Sequence, residues 1–244
     1  MMQLSFSPQL MITAIVVIAI AVVCVKTGKL TVPAAILAVF IAMLVALGAG
    51  LGGLILLGGF FILGVTATSH KKQLKTIEGA LPPQRRTAGQ VFANGGVAAI
   101  MGLLAFLYPA QENLYRLMLA ASLASATADT LSSELGMVYG RRFYNILTFK
   151  KEPKGLDGVI SLEGTLLGAA GALLLAVVYG FFFGWGKQVC FVLLAGITGN
   201  LVDSVLGATL ERRRFIGNDA VNFLNTLLAA LVGAGIFRLY IYCT

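Results

Sequence analysis

The chain has 244 residues, of which 58% are hydrophobic and only 11% charged, and its mean hydropathy is +0.91. A soluble domain averages about 45–50% apolar and about 25% charged residues, so there are too few charges to cover a water-soluble globule. The same imbalance excludes a disordered chain. The net charge of +8 comes from 18 Lys and Arg against 10 Asp and Glu; the basic residues stand between apolar runs, which reads as membrane orientation and not as nucleic-acid binding.

The apolar runs predict an all-α, polytopic transmembrane helix bundle of about eight spans, forming one integral membrane domain over 1–244. Three spans, at 10–25, 32–47 and 51–68, make up the N-terminal part, 1–68. Five more, at 91–108, 114–136, 159–183, 189–207 and 220–242, belong to a motif-bearing core over 69–244. A helical span needs ~17–25 residues to cross ~30 Å of hydrocarbon. The runs are continuous, not alternating, which favours helices over a barrel. No basic stretch precedes the first run, so it is expected to be a span and not a cleaved signal. The 29 glycines suit helices that approach closely. Cys24, Cys190 and Cys243 lie far apart without CxxC spacing, and read as buried apolar thiols and not as a disulfide or metal frame.

The connections set the expected orientation. Lys71, Lys72, Lys75, Arg85 and Arg86 follow the third span. Arg141, Arg142, Lys150, Lys151 and Lys154 follow the fifth, and Arg212, Arg213 and Arg214 follow the seventh. The alternate connections are nearly free of basic residues. Eight spans put all three basic loops, with Lys26 and Lys29, on one side, expected to be cytoplasmic, and both termini outside.

Polar residues inside a membrane are costly and mark candidate sites. They gather at the span ends nearest the basic loops. Asn94 opens the fourth span; Asp129, Thr130, Ser132, Ser133 and Glu134 close the fifth; Ser161, Glu163 and Thr165 open the sixth. Asn200, Asp203 and Ser204 close the seventh, and Asp219, Asn222 and Asn225 open the eighth. Helical spacing puts Ser125, Asp129 and Ser132 on one face, Thr130 and Glu134 on the adjacent one, and Asn200, Asp203 and Ser204 together. Carboxylates with hydroxyl and amide neighbours suit Mg²⁺, which takes one or two carboxylates and leaves positions for phosphate oxygens. Asp129 and Asp203 are the expected ligands, with Glu163 as a third acidic contact.

The blander readings stand beside these. Each Asp can serve as an interhelical hydrogen-bond partner; Glu163, Asn94 and Asn222 can simply be residues of helix starts; the arginines can be orientation signals. Ala128-Asp129-Thr130 followed by Arg141-Arg142, and Val202-Asp203-Ser204 followed by Arg212-Arg213-Arg214, suggest an internal repeat, though the identities are few. Lys75-Thr76-Ile77-Glu78-Gly79 is too short for a P-loop. No GxxxxGK[ST], GxSxG or HExxH occurs, which disfavours Walker-type NTPases, serine hydrolases and zinc peptidases.

Five blocks in order carry a resemblance. They are Arg86-Thr87-Ala88-Gly89-Gln90-Val91-Phe92-Ala93-Asn94-Gly95-Gly96, Ser125 through Asp129-Thr130-Leu131-Ser132-Ser133-Glu134-Leu135-Gly136, Ser161-Leu162-Glu163-Gly164-Thr165, Asp203-Ser204-Val205-Leu206-Gly207-Ala208-Thr209, and Asn218-Asp219 with Val221-Asn222-Phe223. The chain resembles the phytyl-phosphate kinase family of integral membrane proteins from about Ser69 onward. Two of its blocks are also similar to those of dolichol and phytol kinases. Asp129, Glu134, Glu163, Asp203 and Asn222 match family blocks. Leu131-Ser132 departs from the tryptophan or alanine common after the Asp-Thr pair, and Glu211-Arg212 stands where a Gln is common.

The resemblance implies phosphoryl transfer from a nucleoside triphosphate, with CTP expected, to a prenyl monophosphate such as phytyl phosphate. On that reading Asp129, Asp203 and Glu163 are catalytic, with Mg²⁺ as cofactor. Asn94, Arg86, Thr130, Glu134, Lys154, Ser204 and Asn222 bind substrate or nucleotide at the cytoplasmic membrane edge. The expected partners are the bilayer, the prenyl monophosphate and the nucleotide, with no nucleic acid; a homo-oligomer is compatible. A cytidylyltransferase acting on a lipid phosphate, and a transporter, are the alternatives.

Overall fold

The computed structural model describes residues 8–75 and 85–243, and the architecture over them is helical. The short Lys75–Gly79 stretch lies outside the described residues from position 76 on. The helices are α1 (Pro8–Lys26), α2 (Val32–Ser69), α3 (Ala88–Leu107), α4 (Glu112–Tyr139), α5 (Leu162–Phe183), α6 (Lys187–Leu206) and α7 (Asn218–Cys243). A π turn at Gly207–Glu211 extends α6. A two-stranded antiparallel ribbon, β1 (Tyr144–Asn145) with β2 (Val159–Ile160), joins α4 to α5. Positions 159 and 160 are thus strand, not the start of a span as the apolar run suggests. The helix begins only after Ser161, whose hydroxyl accepts from the Gly164 backbone N–H as an N-cap.

α2 has 38 residues, which would reach about 57 Å if straight. It is not straight. Gly50 has φ 56° and ψ −148°, a conformation that glycine adopts without steric cost. The Lys29 ammonium before the helix donates to the Ser69 hydroxyl at its end, 3.2 Å away. The chain therefore doubles back at Gly50, and α2 is a pair of antiparallel limbs, 32–49 and 51–69. They correspond to the second and third apolar runs. With α2 so divided, successive helical segments alternate in direction. The 26–31, 140–161 and 207–217 connections, with residues 69–75 and 85–87, lie at one end of the bundle.

Six of the helices, α2 counted as one, are long and apolar enough to cross a membrane. α4 is not among them, although it is the centre of the structure. It packs against α2, α3, α5, α6 and α7, and every residue from Leu117 to Ala128 is buried. A helix covered on all sides by protein need not present an apolar surface to lipid, so its Ala, Ser and Thr content is permitted. Several of its serines and threonines hydrogen-bond to carbonyls of the preceding turn, as Ser122 to Leu119 and Thr127 to Leu123. α1 is the opposite case: it packs chiefly on α2 and leaves Ile12, Ile15 and Val23 exposed. The cysteines also divide: Cys24 is buried as expected, whereas Cys190 and Cys243 are exposed on helix faces that no neighbouring helix covers.

Small residues set the crossings. The first limb of α2 meets α3 where Gly48 faces the Gly102 carbonyl. A Cβ on Gly102 would lie 2.6 Å from the Leu44 carbonyl oxygen and 2.9 Å from the Val45 Cα. Backbone cannot yield as a flexible side chain can. Gly102→Leu is expected to cost about 1–3 kcal/mol or more through overpacking; a melting temperature in detergent equal to wild type would contradict this crossing.

Candidate active site

The polar residues at one end of the bundle line a cavity of about 530 Å³ between α3, α4, α6 and α7, roofed by the α4–α5 connection. Arg85, Arg86, Asn94, Asp129, Thr130, Glu134, Asn200, Asp203, Ser204, Glu211 and Asn222 all contribute to its wall.

Its centre is a pair of acids. Asp129 comes from the second half of α4 and Asp203 from the last turn of α6, and one amide of α7 reaches both carboxyls. Amides from α7 hold them. The Asn225 amide donates to Asp203 Oδ1 at 2.6 Å, and the Asn225 carbonyl accepts from the Ser125 hydroxyl at 3.1 Å. Asn222, with its amide oriented so that the nitrogen faces the acids, donates to both Asp203 Oδ1 and Asp129 Oδ2 at 3.3 Å. Its oxygen then accepts from Asn218 at 3.1 Å. Asn225 is fully buried and Asn222 is 8% exposed, so these amides have no solvent to replace the bonds they make.

The basic side faces the acids. Arg86 is fixed through its backbone: its N–H donates to the Lys29 carbonyl, and its own carbonyl accepts from the Thr31 N–H. Its guanidinium runs over the Phe60 ring, 5.8 Å from the centroid. Burial pulls the Arg86 pKa down, opposed by the Glu134 carboxylate nearby, yet arginine stays protonated in proteins. Among the described residues no carboxylate lies within ion-pair distance of Arg86. Thr87 behind it begins α3 with a capping box, its hydroxyl accepting from the Gln90 N–H while the Gln90 side chain accepts from the Thr87 N–H.

Other expected residues occupy defined places. Thr130 and Ser204 line the wall, but their hydroxyls donate to the Ala126 and Asn200 carbonyls at 2.8 and 3.3 Å. Asn94 also lines it and donates to the Gln90 carbonyl. Glu134 is ion-paired to Lys75 at 2.8 Å, so its charge is already matched.

Two of the expected residues stand apart from the cavity. Glu163 does not line the cavity; its Oε2 accepts from the Arg141 N–H at 3.3 Å. Ser161, Gly164 and Gly168 take the face of α5 that packs on α4, and the helical phase turns Glu163 away from it. Lys154 does not line the cavity either. Its ammonium donates to the Leu74 carbonyl at 3.3 Å and ties two connections together.

Three features escaped the sequence reading of the site. Asn225 holds Asp203, Arg85 and Glu211 line the cavity, and the backbone of Gly155–Ile160 roofs it. The roof is anchored by Arg212, which donates to the Asp157 carbonyl and pairs with Glu152 at 2.8 Å. That pairing holds the Glu152 carboxyl below its ordinary value. The α7 signal was present: Asn218, Asn222 and Asn225 are four and three residues apart and share one helix face.

The description "Integral membrane protein DUF92" matches residues 15–230. The chain belongs to this family. Relatives include "Uncharacterized membrane protein MJ0933" of Methanocaldococcus jannaschii, 37% identical over 78% of this chain and 76% of that protein. "Protein VTE6, chloroplastic" of Arabidopsis thaliana is 32% identical over 75% of this chain but 58% of its own length. "Uncharacterized membrane protein sll0875" of Synechocystis is 33% identical over 77% of this chain and 74% of that protein. No solved structure matches.

Asn225→Ala removes a donor to Asp203 and an acceptor for Ser125 in a buried place. It is expected to lower stability by roughly 1–3 kcal/mol, whereas Asn218→Ala, at the exposed start of α7, should change it little. Thermal unfolding in detergent checks both; equal melting temperatures would deny Asn225 its holding role.

Proposed function

We propose that this DUF92 protein is a membrane kinase that transfers a phosphoryl group from a nucleoside triphosphate, CTP by preference, to a prenyl monophosphate such as phytyl phosphate. The observation that carries the reading is that α7 amides hold Asp129 and Asp203 together in one cavity that Arg85 and Arg86 also line. The similarity of the five blocks to the phytyl-phosphate kinase family supports it.

The donor set fits Mg²⁺. Among the described residues no group of three or more His, Cys, Asp or Glu could hold a metal, which disfavours a closed all-protein site. Mg²⁺ needs only one or two carboxylates, completing its shell with water and phosphate. Asp129 and Asp203 would hold it, and when bound it would neutralise charge on the transferred phosphoryl group.

The remaining work falls to the protein's own groups. Arg86 and Arg85 supply fork-shaped donors for phosphate oxygens. Asn222 keeps the acids oriented. The acceptor is already an anionic phosphate, so no side chain has to abstract a proton. A prenyl phosphate oxygen bonds to the γ-phosphorus, the bond to the bridging oxygen breaks, and CDP leaves with its electron pair. Transfer of this kind depends on position and charge neutralisation. In this reading the cavity faces the cytoplasm, which the preference of basic loops for that side supports.

Purified protein in lipid nanodiscs, given a prenyl monophosphate, CTP and Mg²⁺, is expected to form CDP and the prenyl diphosphate. Chelation with EDTA should stop it. Asp129→Asn and Asp203→Asn should each lower turnover by about a hundredfold or more without loss of folded protein, while Glu163→Gln should retain most activity. Release of inorganic diphosphate instead of CDP would indicate cytidylyl transfer. Transport without nucleotide consumption would replace the kinase reading altogether.

A further inference from the structure

A second cavity, of about 300 Å³, lies between α1, both limbs of α2 and the start of α3. Its wall is almost wholly apolar and includes Val16, Ile20, Leu51, Ile55 and Phe61. Three of its lining residues, Arg86, Gln90 and Asn94, also line the acidic cavity. The two spaces therefore meet at Arg86, Gln90 and Asn94, and the rest of the groove's lining is apolar. We infer that this groove holds the hydrocarbon chain of a lipid monophosphate whose headgroup lies at Arg86. The inference deepens the kinase reading and rests on it for the identity of the headgroup.

Several observations commit the groove to that occupant. Its lining on the second limb runs from Leu51, next to the Gly50 reversal, to Phe61. That is ten residue steps, or about 15 Å of helix axis. The polar end carries a guanidinium without a carboxylate partner among the described residues, as an anionic headgroup requires. Phe60 lies under that guanidinium and also lines the groove, so charge and hydrocarbon meet at one residue. One wall is α1, which packs chiefly on α2 and leaves Val16 and Ile20 half exposed. The groove thus opens sideways, toward where a lipid-borne substrate resides. A cationic partner would meet Arg86, and a soluble one would find no polar wall.

Gly58 offers a way to close the groove. It lines the space, and a Cβ there meets nothing within 4 Å. Binding is measured without nucleotide, in nanodiscs, for dimethylallyl, geranyl, farnesyl and geranylgeranyl monophosphates. Gly58→Phe is expected to weaken farnesyl and geranylgeranyl phosphate on the order of tenfold, as an overpacked space does, and to leave dimethylallyl phosphate unchanged. Val16→Trp, from the opposite wall, should do the same, and it decides the matter if Gly58→Phe yields no folded protein. Equal effects on short and long chains, no effect on either, or no binding of any prenyl phosphate to the wild type would overturn the assignment. Chain-selective binding without phosphoryl transfer would leave the groove standing and remove the kinase. Transfer with unaltered chain selectivity in both variants would do the reverse.

Discussion

Two acids held by two amides set the register of the whole bundle. Asp129 and Asp203 reach the same place from different helices, and like charges brought together need donors around them. Asn222 and Asn225 supply those donors from a third helix. Sliding α7 by one turn would displace it by about 5.4 Å and strand all of these groups at once. An unpaired polar group at membrane depth is expensive, so the polar network selects one mutual position of α4, α6 and α7. Apolar contact between smooth Ala- and Gly-rich faces would tolerate several.

Close approach makes that network reachable. Gly199 of α6 lies against the Ser125 hydroxyl, and Gly196 against Ala124. Larger side chains there would hold α6 off α4, and Asp203 would no longer reach its partner. α4 can present this surface because it is surrounded. Its sequence is too polar for a lipid-facing helix but is suited to a central post, where Ser and Thr bond to their own backbone and Ala fills the crossings.

The periphery follows a different rule. α1 and the limbs of α2 are apolar on nearly every side, and α1 packs loosely, as expected where lipid substitutes for protein contacts. Arg86 joins the two regimes. Its backbone is paired to the α1–α2 connection, its guanidinium covers Phe60, and its tip borders the acidic cavity. One residue thus couples the rigid polar core to the groove at the lipid side.

Composition and hydropathy alone determined that this chain is a helical membrane protein, because the lack of charge leaves no other solvent for its surface. The positions of most helices followed from the runs, and the Gly-rich segment near Gly50 marked the reversal. Clustering of Asp129, Asp203, Asn94 and Asn222 at one level was readable too, since basic loops and polar span ends alternate together along the chain. Rotation about each helix axis was not readable. Glu163 and Lys154 sit at the right level, yet one is turned to the Arg141 backbone and the other spans to Leu74. Asn225, one turn deeper, proves to be the group that holds Asp203. Depth is encoded by where polarity falls along a sequence. The direction of a side chain depends on which neighbours its helix meets, and only the packed bundle decides that.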